Sequence, residues 1–80
     1  FPFDGAFFNV KGEIFKVLNA EISNGSGKIG EVLNNELESA CGNDKSIKIL
    51  EIQRQGKKPQ KIEEFILGSP IKKGVIIQND

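Results

Sequence analysis

Eighty residues carry no histidine, one cysteine, and 11 basic against 11 acidic side chains, for a net charge of zero. This composition excludes an internal disulfide, Cys–His zinc sites and every His-dependent nucleophilic arrangement within the chain. Neutrality also lacks the basic excess usual in dedicated nucleic-acid binders, and no apolar run approaches the length of a membrane span.

A hydrophobic content of 38% and a charged content of 28% suit one small folded domain over residues 1–80. Its core is expected to be thin, since a chain this short buries only about 60% of its unfolded surface. The chain opens on Phe1 rather than Met and shows no leader-like segment. The expectation is a monomeric piece of a longer polypeptide, in a reducing compartment.

Taken in order, residues 6–10 (AFFNV) form a short apolar run that ends before Lys11 and Gly12. Residues 13–23 (EIFKVLNAEIS) place Ile14, Leu18, Ala20 and Ile22 on one parity and Phe15 and Val17 on the other. That is a period-2 pattern, buried on both faces at its start and on one face later. Gly12 is a natural turn residue, so the two segments are predicted to form a hairpin.

Residues 24–33 (NGSGKIGEVL) hold Gly25, Gly27 and Gly30 in the pattern G-x-G-x-x-G. Two readings follow. In one, a strand precedes a phosphate-cradling loop and a helix carrying Leu33, Leu37, Ala40 and Cys41, with Glu51 placed to bind a ribose. In the other, Asn24-Gly25 is a turn, and residues 31–41 hold two short strands joined at Asn34-Asn35. Asn34 and Asn35 suit a helix poorly. Asn19 and Glu21 suit a central parallel strand poorly. The turn reading is therefore favoured. A Walker A loop fails outright, because Ile29 follows Lys28 where Ser or Thr is needed.

Residues 46–54 (SIKILEIQR) read as the clearest strand. Ile47 and Ile49 share a parity that Leu50 and Ile52 reverse, which predicts a bulge that bends the strand and helps a sheet to curl. After a polar loop over 56–59, residues 61–67 (KIEEFIL) put Ile62, Phe65 and Ile66 at i, i+3 and i+4 of a short helix. Glu63 and Glu64 fall in its first turn, Gly68 at its expected C-cap, and Pro70 beyond. These two adjacent carboxylates do not face each other on a helix and read as a solvated surface. Residues 74–78 (GVIIQ) are predicted as a last short strand.

Several stretches, in order, resemble the C-terminal domain of methionyl-tRNA formyltransferase. They are Phe1-Pro2-Phe3-Asp4-Gly5-Ala6-Phe7, Leu18-Asn19-Ala20-Glu21, Gly30-Glu31-Val32-Leu33 and Ala40-Cys41-Gly42-Asn43-Asp44. The run Leu50-Glu51-Ile52-Gln53-Arg54-Gln55-Gly56-Lys57-Lys58 and the helix Glu64-Phe65-Ile66-Leu67-Gly68 complete the series. The likeness covers nearly the whole chain, and its specificity lies in order and spacing rather than in any one motif. Asp4 and Ile29 stand where the family tends to have proline, and Gln60 stands at a common Ser cap.

The resemblance implies a mainly β fold, an open Greek-key barrel similar to an OB-fold with one short α-helix near residues 61–67. It implies that the glycine loop joins strands. It also implies that catalysis and 10-formyltetrahydrofolate belong to a separate N-terminal domain of the same protein, leaving no catalytic, cofactor-binding or metal-binding residue on this chain. The implied partners are that domain and initiator tRNA, with no membrane, in a bacterial cytoplasm or an organelle matrix. The residues expected to contact tRNA phosphates are Arg54, Lys57, Lys58 and Lys61, with Lys11, Lys16 and Lys28 as weaker members. Lys16 shares parity with Ile14 and Leu18 and is expected to lay its stem along the core edge. Phe1, Phe3, Phe7 and Phe8 could stack single-stranded bases, but with no Tyr or Trp beside them core and interdomain packing is favoured; Cys41 is assigned to a small buried hydrophobe. The alternative is a structural barrel of a sugar formyltransferase or of a 10-formyltetrahydrofolate hydrolase or dehydrogenase, which the neutral charge favours.

Overall fold

The computed structural model describes residues 7–10 and 12–79. Among these, six strands and one helix follow in chain order: β1 (Phe7–Val10), β2 (Glu13–Ser23), β3 (Glu38–Gly42), β4 (Lys45–Arg54), β5 (Gln60–Lys61), α1 (Ile62–Gly68) and β6 (Gln78–Asn79). The expected hairpin is present, with Phe8 opposite Phe15 and Val10 opposite Glu13. Gly12 turns it at φ +84 and donates its N–H to Asn9 Oδ1 at 3.0 Å. A side chain at that φ would be strained, which is why the turn falls on glycine.

The strands form a mainly antiparallel, curled sheet in the order β3-β4-β2-β1-β6, with β5 paired to the far end of β4. The β3–β4 hairpin turns on Asn43 and Asp44, at φ 56 and 57. Both central residues are left-handed, as a two-residue hairpin of matching twist requires. The bend read from β4 is real. The β2–β4 register shifts around Leu18 and Leu50, between the pairs Val17↔Ile52 and Ala20↔Ile49. Ile47 and Ile49 point into the core on one side of the shift, and Ile52 on the other. The parity of burial therefore reverses where the strands bend, and the sheet curls around one core.

The glycine segment settles as a strand-connecting loop. Residues 31–41 contain no helix: Val32 bridges Ser39, Asn34–Glu36 turn, and β3 follows. Leu37, which a helix would have held at ordinary φ, sits at φ 59. The turn itself falls later than Asn24-Gly25, with the Glu31 N–H donating to Lys28 O at 2.9 Å. Segment 30–33, β3 and β4 form an antiparallel meander, and β2 lies beside β4, which is the Greek-key order.

This same segment stitches the two edges of the open barrel together. Gly30 N–H donates to Ala40 O, and Ile77 N–H to Gly30 O, at 2.8 and 2.7 Å. Gly30 lies at φ +86, and a Cβ there would strike the Ile77 carbonyl. The expected strand over 74–78 is narrower than read: Ile76 makes an isolated bridge to Glu31, and only Gln78–Asn79 pair with β1.

The core holds Phe8, Val10, Phe15, Val17, Val32, Leu37, Ile47, Ile49, Ile52, Ile62, Phe65 and Ile77. Ile22, expected on the buried face of β2, is 62% exposed, although it lies opposite the buried Ile47. Helix α1 buries Ile62 and Phe65, and Phe65 meets Phe15 edge to face at 5.2 Å. Gly68 closes the helical span, and the C-cap is Ser69, whose N–H donates to Phe65 O at 2.9 Å. The N-cap is Lys61, with no side-chain cap.

Candidate nucleic-acid interface

The glycine loop offers no cradle for a phosphate. Gly25 N–H donates to Ser46 Oγ at 2.8 Å, and Lys28 N–H to Glu31 Oε1 at 2.9 Å. Ser46 Oγ donates to Glu38 Oε2 at 2.5 Å, while Asn34 Nδ2 donates to Glu38 Oε1 at 3.0 Å. A buried carboxylate thus stands beside the loop, where an anion would be repelled. A Cβ at Gly25 would lie 2.8 Å from Glu38 Oε2 and 2.9 Å from Ser46 Oγ, so glycine is there to let strands approach.

Arg54, Lys57, Lys58 and Lys61 sit at the opposite end of β4. Arg54 is turned inward. Its guanidinium lies 5.2 Å from the Phe65 ring centre and 5.8 Å from that of Phe15, close enough for cation–π attraction. Its Nε is 3.4 Å from Glu13 Oε2, an ion pair without hydrogen-bond geometry, and its Nη2 donates to Ser69 Oγ. Arg54 therefore clamps α1 and the hairpin onto the end of β4 and holds the turn that follows. In that turn Lys57 N–H donates to Arg54 O at 3.0 Å, and Gln53 Nε2 to Lys57 O at 2.9 Å.

Lys57 and Lys58 are exposed on this fixed turn. With Arg54, Pro59, Gln60 and Glu64 they line an open groove of about 400 Å³. Lys61 is exposed nearby on β5, opposite Glu51 in register. Lys28 does not join this group. Its loop is tied to Ser46, and Ser46 lies eight residue steps along β4 from Arg54, a span of up to about 26 Å. Lys11, Phe1 and Phe3 lie outside the described residues.

On the outer face of the sheet, Phe7 is opposite Lys16, and Lys16 is opposite Gln53. Lys16 is half-buried with Nζ 5.9 Å from the Phe7 ring centre, which agrees with a stem laid along apolar surface. Phe7 itself is 47% exposed, while Phe8 is buried. Gln53 and Gln55 line the groove beside them. Sequence reasoning does not single out these glutamines, because their place depends on a strand register that no local motif reveals.

Cys41 is half-buried rather than buried, beside an apolar cavity of about 200 Å³ lined by Phe8, Ile29, Ala40, Ile47 and Ile77 among others. Burial pushes its thiol pKa up from the ordinary value. Among the described residues, no group of three His, Cys, Asp or Glu side chains could hold a metal ion, and no helix is long and apolar enough to cross a membrane.

A curled six-strand sheet with one short helix, bearing the exposed pair Lys57 and Lys58 on the turn after β4, defines a small half-barrel domain. The chain belongs to the family described as formyl transferase, C-terminal domain, which it matches over residues 1–70. It is 63% identical over 79 residues to the methionyl-tRNA formyltransferase of Pelagibacter ubique, covering 99% of this chain and 26% of that protein. The proteins of the same name from Rhodopseudomonas palustris strain TIE-1 and Paramagnetospirillum magneticum are 44% and 40% identical, over 92% and 95% of this chain and 25% of each relative. The chain thus spans about a quarter of the length of these relatives.

Proposed function

We propose that this domain docks the backbone of initiator tRNA for a methionyl-tRNA formyltransferase. The whole enzyme would transfer a formyl group from 10-formyltetrahydrofolate to the amino group of the methionyl-tRNA. Catalytic residues and the folate would sit on an N-terminal domain of the same monomeric protein, in a bacterial cytoplasm or an organelle matrix. The observation that carries this reading is the pair Lys57 and Lys58, exposed on a turn that Arg54 and Gln53 hold in place. Two lysines on a fixed turn meet phosphates with little ordering cost, and phosphate contacts set position rather than sequence. Lys61 extends the patch, Arg54 serves to position it, and Lys28 and Lys11 would supply contacts elsewhere on the RNA.

The test is a titration of labelled initiator tRNA with the full chain at low and then at higher salt. Affinity should fall steeply with salt as counterions are released. The double change Lys57→Glu and Lys58→Glu should weaken binding and reduce the logarithmic salt slope by roughly one unit for each phosphate no longer engaged. An unchanged slope would overturn the docking reading.

One observation favours a second reading. The chain is neutral, and carboxylates stand close to the patch, with Glu64 in the groove and Glu51 opposite Lys61. A barrel that only supports a sugar or folate formyltransferase partner domain would bind no tRNA even at low salt.

A further inference from the structure

The groove on the outer sheet face has a chemistry that phosphate docking does not use. It measures about 420 Å³ and is lined by Phe7, Ile14, Lys16, Gln53, Arg54 and Gln55. The register sets Phe7, Lys16 and Gln53 in one row across β1, β2 and β4. The result is an exposed aromatic ring beside an aliphatic side chain, the amides of Gln53 and Gln55, and the Lys16 ammonium, with the inward-turned Arg54 at the border. No carboxylate is among its described lining residues.

We infer that this groove takes one unpaired nucleobase of the bound RNA, stacked on Phe7. The inference rests on the docking reading above and extends it from phosphates to a base. Three features select this occupant. A planar base needs a ring to stack on, and stacking tolerates any base because each has a π face. Its polar edges need side chains that both donate and accept, as Gln53 and Gln55 do. Its phosphate needs a cation within reach, which Lys16 supplies. An apolar helix or a lipid tail would leave the Gln55 amide without a partner, and a basic ligand would meet Lys16.

The groove also adjoins the proposed docking surface. Arg54 borders both depressions, and the 54–57 turn separates them. A strand whose phosphates cross Lys57 and Lys58 can therefore turn one base over that rim. Lys16 now sits near the Phe7 ring. An exposed cation–π contact is weaker than base stacking, so a base displaces the ammonium toward the phosphate that arrives with it.

The test compares a single-stranded RNA carrying 2-aminopurine with a blunt duplex of the same length, each titrated with the full chain. Phe7→Leu keeps an apolar side chain without a ring, and Phe7→Tyr keeps the ring. The expected result is a loss of roughly tenfold in single-strand affinity for Phe7→Leu, within the range for one lost stacked base. Phe7→Tyr should stay within about twofold of the unaltered protein, and only ring-bearing proteins should quench the 2-aminopurine. Duplex affinity and thermal midpoint should hold in both variants. Unchanged single-strand affinity for Phe7→Leu, alongside a loss for Lys57→Glu with Lys58→Glu, would overturn the base subsite and leave phosphate docking standing. An equal loss on duplex and single strand would also overturn it. Absence of binding to either RNA would remove both readings together.

Discussion

The two ends of β4 each hold a charged side chain turned inward, and they neutralise it by different means. At the Ser46 end, the Glu38 carboxylate is 8% exposed and accepts from the Ser46 hydroxyl and the Asn34 amide. Both hydrogen-bond partners are neutral groups, and Lys48 lies opposite Glu38 in the β3–β4 register. At the other end, Arg54 meets a carboxylate, a hydroxyl and two aromatic faces. The first arrangement ties a loop down, with the Gly25 N–H at the end of the chain of donors. The second ties a helix down and leaves the following turn free to present Lys57 and Lys58. The lesson is that the most conspicuous charges near a candidate site can be structural, while the exposed ones beside them remain available to a partner.

Removing the aromatic support should have the largest effect on this contrast. Phe65→Ala deletes a fully buried ring that also underlies Arg54. It should cost about 3–5 kcal/mol in denaturant unfolding, and salt-dependent tRNA binding should weaken as the turn loosens. A cost below about 1 kcal/mol would show that α1 is not anchored by this residue.

The carboxylate end should respond less. Glu38→Ala leaves the buried Ser46 hydroxyl without its acceptor, a loss of about 1–3 kcal/mol. Ser46→Ala removes the other partner, and a double-mutant cycle should show the pair to be coupled, with the double variant less destabilised than the sum of the singles. Additive losses would mean that the two residues act independently. Neither change should alter the salt slope of RNA binding, because the site lies at the far end of the strand.

The smallest effect concerns Cys41. Its thiol pKa is raised by burial, so less thiolate is present near neutral pH and disulfide-exchange reagents should react more slowly than with a free thiol. The stability linked to this group is fully present below the unfolded pKa and is lost as pH rises through the higher folded pKa. A reaction rate equal to that of an unstructured cysteine would contradict the burial.

Much of the fold was legible because the signals were local. Gly12 between two period-2 runs marks the β1–β2 hairpin, and Ile62, Phe65 and Ile66 mark α1. The reversal of parity between Ile49 and Ile52 marks the bend in β4. The glycine segment was ambiguous for a physical reason. Leu33, Leu37, Ala40 and Cys41 have helical spacing, yet Leu37 O accepts from Ile49 N–H, and Ala40 O accepts from Gly30 N–H. Long-range hydrogen bonds therefore overrode the local period. At the candidate site, Lys57 and Lys58 could be read directly because they are contiguous. The inward turn of Arg54 could not, since Glu13, Phe15, Phe65 and Ser69 meet it only in the folded sheet. The row Phe7, Lys16 and Gln53 was hidden for the same reason.

The pairing of β1 with β6 also bears on how the domain is made. Phe8 and Asn9 are among the first described residues to leave the ribosome, and their partners Asn79 and Gln78 are among the last. Hairpins such as β1–β2 can form while synthesis continues, but the seam through Gly30, Ile77 and Asn79 waits for nearly the whole intervening chain to be joined into one loop. Closure over such a separation is slow and entropically costly. Until then the edges of β1 and β3 lack these backbone partners, and unpaired strand edges are templates for wrong pairing.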